Sequence, residues 1–196
     1  RLGAGAAMTI FEYFMVLLSV MLSLALAQLV TGVGELVRAG NKVRWSLGYA
    51  LWLVVGFYIA LDWWASLWLV RGFPSWKIVT LAFLLLQAST TYLYVLWLIP
   101  KDVGDAPIDL GDYLLTNRRL FLMAFLGYCV FGAITNVMVL PAESRMDLAN
   151  YAALGPMLAL AGLAWGSPNL WIQRFAPLAI LLLMTADFAY YFETIS

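Results

Sequence analysis

The residues best placed to do chemistry are carboxylates set in apolar sequence. Asp62 stands in ALDWWASLW (60–68) and Asp187 in LMTADFAYYF (183–192). An ionised carboxylate in hydrocarbon costs on the order of 2.5–3.5 kcal/mol at the bilayer centre, and less off-centre. Such acids usually face a bundle interior or a wet cavity and serve cation binding or proton relay. Helical spacing brings further polar groups to the same faces. Tyr58 and Ser66 lie at i−4 and i+4 of Asp62, and Tyr190 and Tyr191 at i+3 and i+4 of Asp187. Their hydroxyls are expected to donate to the two carboxylates. Glu12, at the start of the first apolar run, and Glu193, just past the last, extend the acidic character toward the same side. The competing expectation is structural. In it the two acids are tied to Trp, Tyr or a basic group such as Arg71 or Lys77, locking helices together.

The elements that must carry these residues are membrane helices. A span needs about 20 mostly apolar residues rising ~1.5 Å each. The sequence predicts an all-α, polytopic transmembrane helical bundle of about six spans, at 10–33, 45–70, 76–99, 119–140, 148–165 and 170–192. These form one transmembrane domain over 10–192, between an N-terminal tail (1–9) and a C-terminal tail (193–196). The residues before Met8 read as an added remnant, an upstream start or a processed end. The first run carries an acidic residue where a signal peptide carries basic ones, so it reads as a retained helix. Breaks fall where Gly, Pro and charge collect: GELVRAGNKVR, RGFPS, PKDVGDAPIDLGD, LPAESRMD and GSPN. In the long third break, Asp109 or Asp112 is positioned to cap a helix. That helix is either interfacial or an extension of span four.

Lys and Arg distribution sets the expected orientation. Arg38, Lys42, Arg44, Lys101, Arg118, Arg119 and Arg174 fall on one side, against Arg71, Lys77, Arg145 and Arg1 on the other. The positive-inside rule then places both termini on the outer side. Asp62 and Asp187 each lie 17 residues beyond the start of an outward-running span, ~25 Å along the helix, in the outer half of the bilayer. Trp45, Trp97, Trp165 and Trp171 read as anchors at the cytoplasmic interface, and Trp64, Trp68 and Trp76 at the outer one.

Other polar positions read mainly as packing. Ser19, Ser23, Ala27 and Thr31 form a small-residue face on span one, and Gly155, Ala159, Gly162 and Gly166 another on span five, with Pro156 as a kink. Gln28, Gln87, Thr91 and Asn136 read as interhelical hydrogen-bonding groups, with a substrate path along Gln87 and Asn136 as the alternative. Arg118 and Arg119, in TNRR, are candidates for lipid headgroups, or simply topology-setting charge.

Composition excludes several classes. Apolar residues make up 64% of 196 and charged residues 11%, far from a soluble domain. Net charge is zero, with no basic surplus for nucleic acid. The chain has no histidine. Histidine-ligated haem, His-containing zinc sites and Ser-His or Cys-His pairs are therefore outside its chemistry. Its single cysteine, Cys129, reads as a packing residue. No metal site, cofactor or catalytic group is expected.

GELVRAGNKVRW followed by DYLLTNRRLF resembles a pattern in uncharacterised bacterial multi-pass inner-membrane proteins. The resemblance covers the first loop and the start of span four. It implies a bacterial inner-membrane location and carries no active site. Two functional expectations remain. The first is a structural or accessory role, packing against other membrane subunits, lipids or pigments, as a homo-oligomer or in a larger complex. The second is a small transporter or channel that uses Asp62, Asp187 and Glu12 for cation or proton binding.

Overall fold

The computed structural model describes residues 10–69, 76–101, 107–139 and 151–192, without the side chains of Ile10, Phe11, Leu69, Tyr191 and Phe192. Six α-helices carry the described chain: α1 (Ile10–Arg38), α2 (Leu47–Leu69), α3 (Ile78–Leu98), α4 (Leu110–Val139), α5 (Leu154–Gly166) and α6 (Leu170–Phe192). Five of them, all but α5, are long and apolar enough to cross a membrane. Their outward faces carry bare apolar side chains such as Val16, Val20, Phe57, Ile78, Phe175 and Leu182. A water-soluble monomer rarely exposes so much apolar surface, whereas lipid tails solvate it. The chain is an integral membrane helical protein.

The fifth expected span, 148–165, is modified. Its described helix has 13 residues, ~20 Å against the ~30 Å of a hydrocarbon core. Pro156 does not kink it. It sits in the first turn, where a missing N–H removes no helical bond. Proline does interrupt α6, where Pro177 stands mid-helix and withdraws the donor that the Gln173 carbonyl would receive.

The start of span four is an extension rather than a separate interfacial helix, because α4 is continuous from Leu110. Asp109 caps it. Its Oδ1 accepts from the backbone N–H groups of Gly111 (2.8 Å) and Asp112 (3.3 Å). Gly40, at φ +54°, lets the chain turn after α1. Two short strands follow from these turns, β1 (Val43–Arg44) and β2 (Ile108–Asp109), paired in parallel. Arg44 reaches Asp109 at 3.3 Å, with 83% of its side chain exposed. The cap is therefore expected to matter more than the ion pair. Asp109→Ala should cost about 1 kcal/mol and Arg44→Ala well under ~1 kcal/mol, read from thermal unfolding in detergent.

Aromatic side chains bind α2, α3 and α4 into one core. Trp52, Tyr94, Phe121 and Phe125 are fully buried. Trp52 and Tyr94 each meet Phe121 edge to face, at 5.5 and 5.6 Å between centroids. The Tyr94 hydroxyl donates to the Trp52 carbonyl at 2.7 Å, and the Tyr49 hydroxyl to the Leu98 carbonyl at 3.1 Å. Gly56 is required beside them, since a Cβ there would sit 2.8 Å from the Tyr94 ring. That ring is pinned by its hydrogen bond and cannot retreat.

The small-residue face of α5 behaves in the opposite way. Gly155, Gly162 and Gly166 have open space where a Cβ would lie, so this face is not a close approach among the described residues. Gly56→Ala should destabilise by about 1–3 kcal/mol, while Gly162→Ala should leave stability unchanged or slightly raised; parallel melting curves test the contrast. The face of α1 likewise differs from expectation. Ser19 and Ser23 line a gap against Phe57, Ala60, Leu61 and Trp64 of α2, not a tight seam.

Candidate functional site

One end of the bundle holds a cavity of about 250 Å³, and both intramembrane aspartates line it. Asp62 comes from the last third of α2 and Asp187 from the last two turns of α6. Tyr128 and Cys129 of α4, Gln87 of α3 and Tyr151 beside α5 complete much of the wall. Trp63, Met184 and Phe188 give it an apolar side. Five helical segments thus converge where sequence reasoning placed two acids at one level.

Tyr128 gives the Asp62 carboxylate its hydrogen bond, donating to Oδ2 at 3.0 Å. Tyr128 is 6% exposed, so the bond lies in a largely dry place where pairing counts most. The bond engages one of the two carboxylate oxygens. Asp187 has no hydrogen-bond or ion-pair partner among the described residues. No Lys or Arg among them lines the cavity. Lys77 stands exposed just before α3, and Arg71 lies outside the described residues. Lys77 therefore forms no salt-bridge lock with these acids, whereas the tyrosine tie that the structural expectation also named is present at Asp62, where Tyr128 links α4 to α2.

The expected supporting hydroxyls act elsewhere. Tyr58 donates across to the Met184 carbonyl of α6 at 3.5 Å. Ser66 lines the cavity but donates back to the Asp62 main-chain carbonyl at 2.8 Å. A helical serine finds that i−4 carbonyl closer than a neighbouring side chain. Tyr190 is 66% exposed and does not line the cavity, and the Tyr191 side chain lies outside the described residues. Glu12 is exposed at the start of α1, a helix that gives the cavity no residue. Glu193 falls outside the described residues.

No protein-family model, no curated protein and no solved structure matches this chain.

Sequence reasoning passed over Tyr128, 66 residues from its partner. The available signal was a polar-tipped aromatic inside an otherwise apolar span. Trp63, next to the expected interfacial anchor Trp64, is 2% exposed and part of the wall. Its indole N–H is buried without a partner among the described residues, as is the Tyr151 hydroxyl. Gln87 and Asn136, expected mainly as interhelical glue with a substrate path as the alternative, both border the cavity. The Gln87 Nε2 would lie 2.8 Å from a Cβ on Gly132. Gly132 is what allows α4 to pass so close to that amide.

The opposite end of the bundle is closed by polar bonds. Gln173 is fully buried. Its Nε2 donates to the carbonyls of Ala164 (2.7 Å) and Ser167 (3.0 Å), and its Oε1 accepts from the Trp52 indole at 3.3 Å. The candidate headgroup arginines lie near this end. Arg119 stacks on Trp165 at 5.3 Å, and Arg118 donates to the Leu115 carbonyl of its own helix. The described residues contain no cluster of three or more metal-ligating acids or thiols.

Proposed function

We propose that this membrane protein binds a small cation in the cavity between α2, α4 and α6, as a transporter or channel of the bacterial inner membrane. The observation that carries this reading is the pairing of Asp62 and Asp187 on one cavity with no basic group among its described lining. Two carboxylates without a counter-charge make a negative potential in a low-dielectric wall, which favours a cation over neutral or anionic solutes. Asp62 is the principal ligand, Tyr128 orients it, and Asp187 supplies the second charge. The Lys and Arg distribution puts this end on the outer side, so the cavity would load from outside. No catalytic step, metal or cofactor is part of the reading.

Equilibrium binding and flux test it. Purified protein in liposomes should move protons, alkali cations or small amines, and Asp62→Asn combined with Asp187→Asn should abolish the movement. Cation movement that is absent throughout, or equal in the double variant, would sink the proposal.

A second reading rests on a separate observation. The exposed small-residue face of α5, Gly155, Ala159, Gly162 and Gly166, has room for another helix. It supports an accessory role in a homo-oligomer or a larger complex with lipids or pigments packed between subunits. Native mass analysis after mild extraction distinguishes a constant partner from a solitary chain.

A further inference from the structure

We infer that the cation is a small organic ammonium rather than a metal or alkali ion. The inference rests on the cation-binding reading above and concerns its chemical class. A desolvated metal or alkali ion asks for a tight shell of oxygens, six to eight at about 2.3–2.6 Å for calcium. The cavity is built differently. Its volume is about 250 Å³, close to the lower end of the roughly 300–1,000 Å³ typical of ligand pockets. It is far larger than one bare ion. The lining hydroxyls of Ser66 and Thr135 are held against their own helices by donating to the Asp62 and Phe131 carbonyls, so they are not free to turn and close a tight shell around one ion.

Aromatic side chains line much of the remainder. Trp63, Tyr128, Tyr151 and Phe188 all line the cavity, with Asp62 and Asp187 among them. An ammonium whose charge is spread over C–H surface is attracted by aromatic faces and by carboxylates together. Trp63 adds an independent sign. Its indole N–H is buried with no partner among the described residues, an arrangement native proteins rarely keep without a reason. A phenylalanine would avoid the orphaned donor, but tryptophan is the strongest cation–π partner.

Calorimetric titration of the purified protein in detergent tests the inference, at fixed ionic strength, with tetramethylammonium, ethylammonium, sodium, potassium and neutral tert-butanol as probes. At least one of the two ammonium ions should bind roughly tenfold or more tightly than sodium or potassium, and tert-butanol should not compete. Trp63→Leu should weaken the ammonium about tenfold while leaving alkali-ion binding unchanged, with Trp63→Phe intermediate. Phe188→Leu should act in the same direction, and serves if Trp63→Leu does not fold. Alkali ions binding as tightly as the ammonium ions, or ammonium affinity indifferent to the aromatic variants, overturns the ammonium assignment and leaves cation binding standing. If none of the cations binds, both readings fall.

Discussion

Asp62→Asn should lower cation affinity at least about 100-fold while the protein still folds. The substitution keeps the side chain's size and leaves an Oδ1 to accept the Tyr128 hydroxyl, which now reaches Asp62 at 3.0 Å. Only the charge is lost. A unit charge about 4 Å from a bound cation contributes on the order of 4 kcal/mol at an effective dielectric near 20, and each ~1.4 kcal/mol is a tenfold change. Asp62→Leu separates the two roles. It removes the charge and also strands the buried Tyr128 hydroxyl, adding about 1–3 kcal/mol of destabilisation. Binding titrations paired with thermal unfolding should therefore show Asn defective in binding alone and Leu defective in both. An Asn variant that binds cations like the parent removes Asp62 from the site.

Gln173→Leu should produce the largest loss of stability of any single change considered, about 2–5 kcal/mol. Three bonds meet at this fully buried amide, from the Trp52 indole and to the carbonyls of Ala164 and Ser167. The Ala164 carbonyl belongs to the last turn of α5, where a helix has no donor of its own to offer. Leucine fills a similar volume but leaves a buried N–H and a helix-end carbonyl unpaired. The hold of α6 on α5 and α2 should be lost first, seen as faster hydrogen exchange in 154–166 than in α3. Gln173→Glu should rescue the Trp52 bond only, since a carboxylate cannot donate to the two carbonyls. Unfolding of the Leu variant at the parent's temperature would show that this amide contributes little.

How much of this was legible in the sequence differs by feature, for a physical reason. Hydropathy is a local property that adds along the chain, so five of the six expected spans coincide with helices long enough to cross a membrane. The common level of Asp62 and Asp187 was also readable, because helical rise is fixed and both spans run the same way. Even the Asp109 cap was written locally, in a residue followed by the N–H groups it accepts from.

Which side chains meet across helices was not readable. A span that is apolar nearly all round gives no preferred face, and each residue turns the helix by about 100°, so one step of rotation exchanges every neighbour. Tyr58 and Ser66 were correctly placed near Asp62 along α2, yet their hydroxyls go to the Met184 and Asp62 carbonyls. Tyr128 takes the carboxylate because α4 packs with that face toward α2. The same uncertainty covered the glycines. Gly56 and Gly132 lie against Tyr94 and Gln87, while the regular stripe on α5 faces outward. Sequence alone determined a membrane helical protein with two acids at one depth. Tertiary packing alone decided that they share a cavity, which tyrosine holds one of them, and that tryptophan and phenylalanine form its walls.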